Sequence, residues 1–243
     1  MQQWRCGMKR ALAVLGLVLL APSGGCAIHR IARNPGRNAG LGAATSEKRA
    51  REIMGRNMFG VKEAVKYFRL TPSVIEYAKL DTVPFSEATL EQCKKTHILV
   101  AVFPLSINDI RSRMPPSLFF DAHDLGYEAE RFATYKGGAS WQLIRKTPVP
   151  NSFGKTWHEQ QALLAKNEEV PAARVLVYAI IGHYLASGER LLEGDFVRSS
   201  DVDSFGLYRI VGYFGSDGLD VHVDWVGNRR DDVGMSSARK SEK

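Results

Sequence analysis

Apolar residues fall in short blocks of differing period, and the blocks predict a mixed fold. Residues 97–103 (His-Ile-Leu-Val-Ala-Val-Phe) form a continuous apolar run stopped by Pro104, which reads as a buried strand. Just before it, Ser86 caps a helix running to about Lys95. Phe85 and Leu90 take the N′ and N4 positions of a hydrophobic staple there. Thr71-Pro72 is an N-cap and N1 pair opening a helix to about Lys79. Residues 106–113 read as a short helix ahead of Pro115-Pro116, and 141–147 as a strand. Thr156 and Glu159 form a capping box, which predicts helix from Trp157 to about Lys166. Residues 173–181 are rich in β-branched and aromatic types and read as a strand, with a buried helix as the open alternative.

From Phe196 the chain reads as strands and turns: 196–200, 206–214, a Gly-Ser-Asp-Gly turn at 215–218, then 219–225. The last strand alternates strictly. Leu219, Val221, Val223 and Trp225 take one side, and Asp220, His222 and Asp224 the other. Same-face neighbours on a strand lie about 7 Å apart, close enough to share a ligand. The expected class is α+β, with short helices on a twisted, mostly antiparallel sheet and a β-rich C-terminus.

The N-terminus carries a different signal. Arg5, Lys9 and Arg10 precede the apolar run 11–21, and Pro22-Ser23-Gly24-Gly25 leads to Cys26. A basic start, a short apolar core and a small-residue exit describe a secretory leader. The run is shorter than the roughly 20 residues a membrane span needs. Small residues before Cys26 match a bacterial lipobox, apart from Ser23 where Leu is usual. The expected organisation is a leader over 1–25, lipid attachment at Cys26 and a flexible tether over 26–58, with Ser46–Met54 a short helix. A single domain over 59–235 and a polar tail over 236–243 follow. The expected location is the cell envelope.

The leader alters the charge balance. The chain has 33 Lys and Arg against 26 Asp and Glu, a net +7. Removing the leader takes away three basic residues and leaves +4. Residues 196–234 carry −3 of that, with seven of the twelve aspartates and no Lys, Glu, Gln or Met. Nucleic acid, which needs clustered basic residues, is therefore not an expected partner. Of three cysteines, Cys6 lies in the leader and Cys26 is the lipid site, so Cys93 reads as a small buried hydrophobe.

Catalytic motifs are absent. There is no nucleophile elbow, His-Glu-x-x-His, phosphate loop or dinucleotide fingerprint. Asp121, His123 and Asp124 sit close together, and a solvated loop is the expected reading over a metal site. His97 and His183 read as hydrogen-bonded structural histidines, and His158 as exposed in a helix's first turn. No cofactor, metal or catalytic residue is expected.

The end of the chain supports a resemblance. Val197-Arg198-Ser199-Ser200, then Asp224-Trp225-Val226-Gly227-Asn228-Arg229, then Val233-Gly234-Met235-Ser236-Ser237-Ala238-Arg239 resembles the close of the C-type-lectin-like, formylglycine-generating-enzyme-like domain. It is similar in particular to the variable proteins of diversity-generating retroelements. In those, randomised adenines in Asn codons exclude Lys, Glu, Gln, Met and Trp. The resemblance covers about residues 190–239. Met235 stands where an aromatic is common. The generating activity is not implied, since no cysteine follows Cys93.

The resemblance implies a C-type-lectin-like scaffold whose 196–234 segment displays a variable binding face, with Trp225 and Gly234 as buried scaffold. The candidate ligand-binding residues are Phe205, Leu207, Tyr208, Tyr213 and Asp220, with His222, Asp224, Arg229, Arg230 and Asp231. Tyr and Phe give rigid contact area, while Asp, His and Arg give adaptable polar contacts. The expected function is a non-enzymatic, lipid-anchored surface protein that binds a protein or carbohydrate. The alternatives are an envelope enzyme or metal-dependent carbohydrate-binding domain using either Asp-His-Asp set, and a structural envelope lipoprotein.

Overall fold

The computed structural model describes residues 44–120 and 126–242. The leader, Cys26, most of the tether, and Asp121, His123 and Asp124 lie outside the described residues.

In chain order the elements are β1 (Thr45–Ser46), α1 (Glu47–Met54), β2 (Met58–Phe59), α2 (Val61–Phe68), α3 (Val74–Leu80), β3 (Thr82–Val83) and α4 (Glu87–Cys93). Then come β4 (His97–Val102), α5 (Ile107–Arg113), α6 (Arg131–Thr134), β5 (Ser140–Arg145), α7 (Trp157–Gln161) and β6 (Glu168–Glu169). The chain closes with α8 (Ala173–Ser187), β7 (Phe196–Val202), β8 (Tyr208–Gly215), β9 (Gly218–Asp224), β10 (Val233–Met235) and β11 (Ala238–Arg239).

The class is mixed α+β. A five-stranded sheet has the order β2-β4-β5-β11-β6, and a four-stranded sheet the order β10-β7-β8-β9. Pairing is antiparallel within both, except β2 with β4 and β10 with β7. β1 and β3 form a small antiparallel pair of their own.

Several helices start where their caps dictate. Ser86 accepts from the Thr89 amide at the head of α4, and the staple residues Phe85 and Leu90 are both fully buried. Ser106 and Asp109 make a reciprocal capping box on α5. For α3 the cap is Ser73, with Glu76 answering it, rather than Thr71. Its side chain reaches the N3 amide, which Thr71 is too early to do. α7 stops at Gln161, short of Lys166, and residues 162–167 continue as turns.

The largest correction concerns residues 173–181, which form a helix and not a strand. Every residue from Ala173 to His183 is buried, so α8 is apolar all round and shows no 3.6-residue period. It packs against strands of both sheets. Tyr178 sits at its centre, its hydroxyl donating to Ala101 O at 3.0 Å and its ring 4.5 Å from that of Phe68. Gly182 is needed on this helix, because a Cβ there would meet the Phe59 ring at 3.0 Å.

Two boundaries also move. The tether reading fails from Thr45 onward, since Ala50, Ile53, Met54 and Met58 are core residues. The short amphipathic α1 is too polar outside to betray that face. The polar-tail reading fails as well. β11 pairs with both β5 and β6, and Ser236, Ser237 and Ala238 are buried. Ser236 satisfies its hydroxyl by donating to Arg198 O at 2.6 Å, which lets a polar residue sit inside.

Candidate functional site

Two buried ion pairs organise the four-stranded sheet and its loops. Arg198 on β7 is fully buried. It bonds both Nε (2.9 Å) and Nη2 to Asp224, and donates to Lys155 O, the Gln160 side chain and Asn228 O at 2.7–2.9 Å. Asn228 in turn donates to the other Asp224 oxygen at 2.9 Å. One guanidinium thereby ties β9, α7 and the 225–228 turn to β7. The sequence expectation for Asp224 as a ligand residue is thus corrected. Both its oxygens are occupied, and it is 1% exposed. Trp225, expected as buried scaffold, is 64% exposed. The β9 alternation ends at Asp224, where the chain leaves the sheet, so the face rule does not carry to Trp225.

The second pair fixes the β7–β8 turn. Arg209 Nη2 meets Asp203 Oδ2 at 2.9 Å, while Asp203 Oδ1 accepts the amides of Phe205 and Leu207. From the other side, Ser204 donates its amide and hydroxyl to Glu130, at 3.1 and 2.6 Å. Arg209 lies over the rings of Phe132 and Tyr127, 4.4 and 5.7 Å from their centroids. Phe205 projects from this clamped turn, 85% exposed.

Beside the turn is an open cleft of about 300 Å³ lined by Phe120, Gly126, Glu130, Asp203, Phe205, Arg209 and residues 220–223. Asp220 and His222 share one face of β9, as their alternation predicts, opposite Gly212 and Ile210 of β8. Burial pushes the Asp220 carboxyl above its ordinary range, against the pull of His222 and Arg111. Burial likewise raises the Tyr127 hydroxyl nearby.

Of the sequence-derived candidates, Phe205, Asp220 and His222 meet in this cleft. The others do not join it. Tyr208 is half-buried and stacks on Trp157 at 4.1 Å, a packing role. Leu207 is half-buried in the turn. Tyr213 is 45% exposed on a bulge in β8, against Phe196. Arg229 pairs with Glu159 at 2.8 Å and Arg230 with Asp232 at 2.6 Å, while Asp231 is exposed. The expectation of one continuous ten-residue face therefore gives way to a cleft and a separate loop region. The Asp220, His222 and Asp224 set cannot act as one metal-binding group, because Arg198 holds Asp224. Among the described residues no group of three or more His, Cys, Asp or Glu side chains is arranged to hold a metal.

Sequence reading missed Phe120, Glu130, Asp203 and Arg209. Asp203 had a local signal, since an Asp before Ser-Phe-Gly is apt to bind its own following amides. Glu130 lies 74 residues from Ser204 and had none.

No family model, curated protein or solved structure matches the chain.

Proposed function

We propose that this chain is an exported, lipid-anchored surface protein that binds a protein or carbohydrate at the Phe205–Asp220–His222 cleft. On this reading it is not an enzyme. Its scaffold is C-type-lectin-like, and its 196–234 segment is of the retroelement-diversified kind. The carrying observation is Phe205. A Phe held 85% exposed on a turn locked by Asp203 and Glu130 is rigid apolar surface without an internal use. Rigid aromatic contact flanked by His and Asp is the composition of a paratope.

The reading separates fixed from free positions. Arg198, Asp203, Arg209 and Asp224 build the frame. Phe205, Leu207, Tyr213, Asp220, His222 and Asp231 are free to change. Sequencing close relatives tests this. Variation concentrated at the free positions, beside a template repeat and a reverse transcriptase gene, is the expected result. Variation there no greater than at buried Leu99 refutes it.

A second reading, an envelope enzyme, is favoured by one observation: the raised Asp220 carboxyl shares a cleft with His222. Turnover of chromogenic esters or glycosides that Asp220→Asn abolishes would establish it.

A further inference from the structure

A second polar cluster lies on the five-stranded sheet, away from the cleft. His97 on β4 pairs with Arg145 on β5. The Arg145 amide donates to Ser237 O at 2.9 Å, which puts Ser237 next in the same row. Arg239 follows two residues along β11, on the same face of the sheet. The opposite face, with Ile98 and Ile144, packs towards α8.

This row concentrates unmet hydrogen-bonding capacity. Among the described residues, seven buried side-chain atoms lack a partner, and four of them are His97 Nε2, Arg145 Nε, Ser237 Oγ and Arg239 Nε. Neither arginine forms an ion pair with a described carboxylate. Glu168 stands opposite Arg239 on β6 without pairing with it and accepts the Ala165 amide through Oε2. Glu242 accepts from Ser86 and Thr89, and the Cys93 thiol is the side-chain neighbour of Arg239. His97 is 3% exposed and Ser237 fully buried. Both arginines are only half-buried, so each keeps part of its side chain in solvent. Two like charges on adjacent strands, with buried unsatisfied donors, are costly unless an anion completes them.

We infer that Arg145, Arg239, Ser237 and His97 form a binding site for a small phosphate-type dianion, free or as a monoester. Two guanidinium forks match the charge and tetrahedral oxygens of such a group. The hydroxyl and the imidazole supply neutral partners. Burial and the two arginines lower the His97 pKa to about 4, so its ring is neutral near pH 7. The site is independent of the cleft and its proposed role.

Calorimetry on the full chain with inorganic phosphate and glycerol 3-phosphate tests the site, with sodium chloride at matched ionic strength as control. Saturable binding of either phosphate is expected, with Arg145→Met and Arg239→Met each weakening it at least tenfold. The two ligands distinguish a free ion from a monoester. Should an arginine variant fail to fold, Ser237→Ala removes a single oxygen and should weaken binding several-fold. Absence of saturable binding, heats reproduced by chloride, or unchanged affinity in folded variants overturns the inference.

Discussion

The body around α8 and the segment 196–234 are stabilised by different means. The body has a continuous apolar core: Phe59, Phe68, Leu99 and Tyr178 are fully buried and touch apolar neighbours. The segment adds to that core through Val197, Val211 and Leu219, but its outer side is built on Arg198–Asp224 and Arg209–Asp203. Apolar packing is non-directional, so it shapes a volume. A charged hydrogen-bond hub is directional, so it fixes loops that have little apolar content of their own. The segment can therefore present an exposed Phe, Tyr and His without needing them for stability.

The comparison is tested most severely by truncations on either side. Phe59→Ala should destabilise the body by about 3–5 kcal/mol in urea unfolding. Arg198→Ala should cost a similar amount, about 3–5 kcal/mol, because it strands a buried Asp224. Replacing both partners, Arg198→Met with Asp224→Leu, should recover only part of that loss, because Lys155 O, Gln160 and Asn228 lose their partners, and should loosen the 225–228 turn, seen as faster amide exchange there. Full stability loss in the double variant would mean the hub holds more than orientation. Gly182→Ala, which pushes a methyl into Phe59, should cost about 1–3 kcal/mol. Phe205→Ala should change stability by no more than about 0.5 kcal/mol. A larger loss would show that the display turn is part of the frame.

pH probes the body. The folded-state pKa of His97 lies near 4, below its ordinary value near 6.5, so the unfolded chain takes up the proton first. The stability that neutral His97 contributes is therefore fully present above about pH 6.5 and declines as pH falls towards 4. His183, lowered by burial despite Glu189, acts in the same direction. His97→Gln should flatten part of that decline, read as urea midpoints across the range in phosphate-free buffer.

Locally encoded features were legible in the sequence. Ser86, Ser106 and Thr156 marked helix starts, the 97–103 run marked β4, and alternation placed Asp220 with His222. Where tertiary packing decided the outcome, local rules failed. α8 is buried on every side and so loses the period that identifies a helix. β11 is a two-residue strand whose partners on β5 lie over 90 residues earlier in the chain. Asp224 follows the alternation by register, yet Arg198, 26 residues away, takes it out of the surface. Glu130 and Phe120 reach the cleft only through the fold.

β11 imposes an order on biogenesis. β11, made after both of its neighbours, occupies an interior lane of the five-stranded sheet, flanked by β5 and β6. Until residue 239 has left the ribosome, those two strands have nothing to bridge them. The sheet can close only through a long-range step. A chain cut before residue 238 would therefore lack the strand that joins β5 to β6, even though the composition there looks expendable.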